Sequence, residues 1–129
     1  MKLNKLKIGK NETSGNLLLA PMADVTNLAF RLLCRQNGAD LTYTEMISAD
    51  ALLNENRKSI LKGLSSPEDR PFGVQLVGNS PEKLREAALF IENEYKPELI
   101  DVNMGCPAKR ITGTGCGSAI LNSQKLVYE

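Results

Sequence analysis

The chain has 129 residues, 42% of them hydrophobic and 24% charged, with a formal net charge of +1. That is one ordinary globular domain with enough apolar material for a real core, and no global charge that would draw it to nucleic acid or to an anionic membrane. It has no histidine, no tryptophan and three cysteines, at positions 34, 106 and 116, which excludes Ser-His and Cys-His nucleophilic pairs and histidine zinc sites within this chain and leaves little aromatic surface for stacking single-stranded bases.

The start, "MKLNKLKIGKNETSGN", is basic but is not followed by an apolar stretch long enough for a signal peptide or a membrane span. The expectation is therefore a cytoplasmic, reducing setting with free thiols, no membrane partner and no metal. The sequon at Asn11 then reads as chance. Residues 3–8 alternate weakly and are read as a short strand. Residues 17–20, "LLLA", form an apolar run stopped by Pro21, as in a strand buried on both faces. Thr26 is placed to cap a helix over residues 27–36, with Leu28, Leu32 and Leu33 at helical spacing and Gly38 as its stop.

Residues 40–46, "DLTYTEM", read as a second strand. Ser48 caps a helix over residues 49–53, and the polar stretch 54–71, with its "SSPEDRP", is connecting structure with room for a short helix. "FGVQLVG", residues 72–78, is a third strand. Ser80-Pro81 is a cap with proline at the first helical position, and Leu84, Ala87, Ala88, Ile91 and Tyr95 form one stripe of the helix it opens. Residues 98–105, "ELIDVNMG", are a fourth strand, and Ser118 opens a fourth helix. Strands and helices alternate, which argues for parallel βα repeats with right-handed crossovers, an α/β fold.

In such folds functional groups gather at the carboxyl ends of the strands. Those ends carry Pro21-Met22-Ala23, Glu45-Met46, Gln75, and Asn103-Met104-Gly105-Cys106-Pro107. Gly105 permits a sharp turn and Pro107 biases Cys106 towards extended backbone, so the thiol is presented at a defined place. A free thiol is mostly protonated near neutral pH and can donate a proton without a histidine; a depressed pKa would make it a nucleophile instead.

Each feature also has a structural reading. Cys34 and Cys116 read as packing residues, and Cys106 on spacing alone stands between packing and chemistry. A glutamine such as Gln75 is usually a surface residue, and Lys109 and Arg110 are ordinarily solvated charges. Glu45 and Asp101 read as structural acceptors as well as acids. "GTGCG" lacks the spacing of a dinucleotide fingerprint and is weak as a phosphate loop.

Taken together, "LLLAPMADVTNLAFRLLCRQNGADLTYTEM", "VQLVGNSPEKL" and "IDVNMGCPAKRITGTGCGSAIL" closely resemble the tRNA-dihydrouridine synthases, in order over about residues 17–123. The resemblance implies an FMN-binding TIM (β/α)8 barrel followed by a small helical domain. It also implies reduction of the C5=C6 bond of particular tRNA uridines, with NADPH as electron donor. Pro21, Met22 and Ala23 match the motif against the flavin, Gln75 the glutamine at the isoalloxazine edge, and Cys106 the active-site cysteine. Asn103 matches the asparagine beside flavin and base. Lys109 and Arg110, after the cysteine, are expected to contribute to RNA binding. Another FMN-dependent barrel oxidoreductase, such as a dihydroorotate dehydrogenase-like protein, and a non-catalytic half-barrel module that binds a partner are the competing readings.

A TIM barrel typically needs about 250 residues. The expectation is therefore the first half of a barrel, residues 1–129 forming its amino-terminal portion. The later strands, with the lysine, histidine and phosphate loops that the resemblance implies, have no counterpart here. A half barrel would expose two long edges, and weak or no flavin binding is expected of this chain alone.

Overall fold

The computed structural model describes residues 4–128. A short antiparallel hairpin opens it, β1 (Lys7–Ile8) against β2 (Asn11–Glu12). The strand expected over 3–8 is thus only its last two residues within the described part, and Leu3 lies outside the described residues. The hairpin sits beneath the amino end of the sheet, where the Asn11 side-chain amide donates to the Glu98 carbonyl at 2.7 Å.

The run expected as a buried first strand pairs with its neighbour through a single parallel bridge, Leu18 to Leu41. Leu17 is exposed and Leu18 and Leu19 are half-buried, so burial on both faces is not found. Its one partner among the described residues lies on the Leu41 side, and the run therefore lacks the second neighbour that would bury it. The first helix, α1 (Leu28–Gln36), is capped by Asn27, whose side chain accepts from the Phe30 amide at 3.1 Å. Thr26 is not the cap, because its hydroxyl is already bonded back to Met22. The chain leaves the helix through Gly38, as expected.

The second strand is broken. β3 (Thr42–Tyr43) and β4 (Ile47–Ser48) both run parallel to one side of β5 (Phe72–Val77). Tyr43 faces Gly73 and Ile47 faces Leu76, so an advance from 43 to 47 is matched by one from 73 to 76. The extra residue is a bulge over 44–46, a device that re-aims side chains near sites. α2 (Ala49–Leu53) is capped by Ser48 as expected, and α3 (Arg57–Lys62) lies in the connecting stretch. α4 (Pro81–Glu94) begins at the Ser80 cap. β6 (Leu99–Val102) pairs parallel with the other side of β5. Beyond it come α5 (Lys109–Thr112), a 3-10 turn over Gly117–Asn122, and α6 (Gln124–Tyr128). The helix expected from Ser118 is therefore a 3-10 turn that starts one residue earlier.

The four parallel segments stand side by side in chain order: 17–20, β3 with β4, β5, β6. The two faces of the sheet differ in chemistry. Phe72, Val74 and Leu76 point to the helices and form a core with Ile47, Ala49, Leu52, Ala87 and Ile91. Leu84, Ala88 and Tyr95 pack against that core, so the stripe expected on α4 is the face it buries. By the period-two alternation of strands, Gly73 and Gln75 point the other way. There the Tyr43 ring lies so close over Gly73 that an added Cβ would sit 2.6 Å from it. Among the described residues no helix is long and apolar enough to cross a membrane.

Candidate active site

Asp101 and Asn103 are two residues apart and so share one face of the strand that carries them. That face meets Gln75 on β5. The Gln75 Nε2 donates to Asp101 Oδ2 at 2.6 Å, and its Oε1 accepts from Asn103 Nδ2 at 2.9 Å. Asn103 Oδ1 in turn accepts from the Gly105 and Cys106 amides, at 3.3 and 2.9 Å. One run of hydrogen bonds therefore leads from Asp101 through Gln75 and Asn103 to the backbone of the cysteine. Gln75 is only 6% exposed, so its ordinary surface reading does not hold; its backbone amide is also fixed, donating to Thr44 Oγ1 at 3.2 Å. Tyr43 lines the same face, and burial, helped by the Asp101 charge, raises its pKa above the ordinary phenol value.

Cys106 is half-buried at the mouth of this face. Its carbonyl accepts from the Ser118 amide at 3.0 Å, and Gly117, at φ 60°, packs on it so tightly that a Cβ there would lie 2.6 Å from that oxygen. The glycine-rich stretch after the cysteine is thus a brace that permits close backbone approach.

Pro21, Met22 and Ala23 form the loop at the tip of the first segment. The Thr26 hydroxyl both accepts from the Met22 amide and donates to the Met22 carbonyl, at 3.1 and 3.0 Å, and is itself buried. Met22 is left exposed. The bulge aims Glu45 at the same loop, where its carboxylate accepts from the Asp24 amide at 2.8 Å and pairs with Lys62 at 2.9 Å. Asp24 sits at φ 61°, a strained region for a residue with a side chain, and the Glu45 bond helps to hold it. Burial pushes the Glu45 carboxyl up, but the Lys62 and Asp24 hydrogen bonds outweigh it and bring the pKa below the usual carboxylate value. Glu45 is therefore a clamp between two strand tips, with its oxygen already engaged. Lys62 has no local sequence signal, because only the fold brings α3 to the bulge.

Lys109 and Arg110 are exposed on α5, beyond the cysteine, and neither side chain has a hydrogen-bond or ion-pair partner among the described residues. Arg110 lines a polar cleft with Ser48, Asp50, Asn79, Thr114 and Cys116. Cys34 and Cys116 are half-buried, and all three thiols are free. An apolar groove of about 300 Å3 lies between α4 and β6, lined by Leu84, Ala88, Ile100, Val102 and Met104; Gln75 and Cys106 do not line it. Among the described residues no group of three or more His, Cys, Asp or Glu is placed to hold a metal ion.

A family model described as "Dihydrouridine synthase (Dus)" matches residues 18–129. The chain is 42% identical over 127 residues to the tRNA-dihydrouridine synthase B of Pseudomonas aeruginosa, covering 98% of this chain and 38% of that protein. It is 41% identical over 122 residues to the probable tRNA-dihydrouridine synthase of Rickettsia prowazekii, covering 94% and 37%. A protein of the same description from Aquifex aeolicus is 39% identical over 119 residues, covering 92% and 37%. The chain thus spans a little over a third of the length of these relatives. The motif segments that lie together at the strand tips fall within the matched span, and the chain belongs to the dihydrouridine synthase family.

Proposed function

We propose that this chain is the amino-terminal portion of an FMN-dependent tRNA-dihydrouridine synthase that uses NADPH. The single observation that carries the reading is the hydrogen-bonded run from Gln75 through Asn103 to the Cys106 amide, in a chain of this family. It draws together three residues that one reaction centre needs. The chain forms the first half of a TIM barrel. Support comes from its parallel segments, which neighbour one another in chain order, whereas a doubly wound sheet reverses direction at a switch point. The remaining strands and a helical tRNA-binding domain belong to the length of the relatives that this chain does not span.

The residues present fit a flavin. With its partners above, the Gln75 amide retains one donor hydrogen and one acceptor lone pair, the alternation that the polar edge of an isoalloxazine requires. Gln75 and the Pro21-Met22-Ala23 loop would hold the ring. FMN, when bound and reduced, supplies the hydride for C6 of the uracil.

The chain's own residues do the rest. Asn103 fixes the backbone of Cys106 and stands beside the base. The Cys106 thiol donates its proton to C5 as the electron pair of the C5=C6 bond shifts, and solvent reprotonates the sulfur. The uridine must leave its stack to enter the site, and Lys109 and Arg110 hold RNA phosphate by charge. The setting is cytoplasmic.

The test uses the full-length protein that carries this chain. Cys106→Ala is expected to slow uridine reduction by roughly 10²–10⁴-fold relative to flavin reduction by NADPH. Undiminished formation of dihydrouridine would remove Cys106 from the acid role, and a wild-type protein that never forms dihydrouridine in unmodified tRNA would end the whole reading.

A further inference from the structure

A polar cleft takes in Arg110, Thr114 and Cys116, in the stretch that follows Cys106. It lies at the carboxyl ends of β4 and β5, between Ser48, Asp50, Val77, Gly78 and Asn79 on one wall and Arg110, Thr114 and Cys116 on the other. Its volume is about 290 Å3. That is just under the roughly 300–1,000 Å3 found for small-molecule sites, so the cleft suits a small unit rather than a large ligand.

Its two walls are tied together. The Asn79 Nδ2 donates to the Thr114 carbonyl at 2.7 Å, and Gly115 packs on the Asn79 side chain. This leaves the Asn79 Oδ1 as an acceptor with no partner among the described residues. The second wall is continuous with the brace on Cys106, through Gly117 and Ser118. The stretch that supplies this wall is thus the one that leads into the brace on the Cys106 carbonyl.

Two groups of opposite charge define the ligand. The Arg110 guanidinium has no anionic partner among the described residues, and its fork of donors suits a phosphate. On the opposite wall the Asp50 carboxylate pairs with Lys83 through one oxygen, Oδ1, and keeps Oδ2 for a further donor. A carboxylate repels phosphate but accepts well from a sugar hydroxyl. A ligand that offers an anion at one end and a hydroxyl donor at the other satisfies both walls, and a ribonucleotide unit does so.

Building on the dihydrouridine synthase reading, we infer that this cleft is a ribonucleotide subsite. It takes one of the two nucleotides that flank the reduced uridine in the RNA, with Arg110 on its phosphate and Asp50 on its 2′-hydroxyl. The 2′-hydroxyl is the group by which a protein tells RNA from DNA at a given position. The subsite therefore gives the enzyme a reason to prefer RNA that does not depend on the base.

The test uses the full-length protein and the tRNA arm that contains the target uridine, prepared with a single 2′-deoxy substitution at the nucleotide on its 5′ side or on its 3′ side. In the wild type one of the two deoxy substrates is expected to bind about tenfold more weakly than the all-ribose RNA, as for loss of a hydrogen bond to a charged group. In Asp50→Asn that difference should shrink to about twofold or less. Arg110→Gln should weaken binding of either RNA and lower the slope of log K against log salt by about one. Equal deoxy penalties in wild type and Asp50→Asn would overturn the inference, as would an Arg110→Gln variant that raises the KM for NADPH while the RNA terms stay unchanged. Either result, in a protein that still forms dihydrouridine, removes the subsite and leaves the proposed activity standing; a wild type that forms none removes the activity itself.

Discussion

Two polar clusters lie against the same parallel sheet, and they are built from similar groups to opposite effect. In one of them Arg31, 1% exposed, meets Asp69, fully buried. The guanidinium Nε and Nη2 both donate to Asp69 Oδ2, at 3.0 and 2.8 Å, and two of its three remaining hydrogens go to the Thr26 and Leu64 carbonyls. Asp69 also accepts from Thr42 and Ser65, each at 2.8 Å. Every charge there is answered from within. In the other the Asp101, Gln75 and Asn103 run is also hydrogen-bonded, but it is only part-buried and keeps donor and acceptor capacity.

The largest expected effect breaks the closed cluster. Asp69→Ala leaves the Arg31 charge buried without its counter-ion and should cost about 3–5 kcal/mol, read by urea denaturation. The double variant Arg31→Met with Asp69→Leu should cost far less, because no uncompensated charge remains. A double variant as unstable as Asp69→Ala would mean that the cluster acts through its geometry and not its charge balance.

In the open cluster the cost should be smaller. Gln75→Leu removes one partner each from Asp101 and Asn103, and about 1–3 kcal/mol is expected, since both neighbours can turn to water. On the proposed reading, the same variant of the full-length protein should lose bound flavin more readily than it loses fold, measured by flavin content against denaturation midpoint. A loss of stability matching that of Asp69→Ala would erase the contrast between the two clusters.

The smallest effect is one of pH. The folded Glu45 carboxyl titrates below its usual value, so its stabilisation is complete above the unfolded pKa and is lost as pH falls through the folded one. The stability difference between wild type and Glu45→Gln should therefore be largest at about pH 6 and fade towards about pH 3. A difference that stays constant over that range would assign the clamp to hydrogen bonding without charge.

Much of this was legible in the residues themselves. The alternation of apolar runs with capped helices announces a parallel α/β chain, and Ser48, Ser80 and Gly38 mark their boundaries because caps and stops act within a turn of where they stand. The cysteine, the asparagine and the glutamine could be singled out because strand-end position is a local property. The broken second strand and the choice of Asn27 over Thr26 were not legible. A bulge depends on the register of the partner strand, and Thr26 is drawn off by Met22.

What the order of residues by itself determined is the alternation of the main strands and helices, their parallel sense and the family, all of which follow from short-range periodicity and motif. What only the tertiary structure decided is which polar groups meet. Arg31 finds Asp69 across 38 residues and Gln75 finds Asn103 across 28, and Lys62 reaches Glu45 only because α3 folds back to the bulge. Charge and hydrogen bonding act over a few ångströms of space whatever the distance along the chain, so one cluster could close on itself and the other remain open only once the strands had been laid side by side.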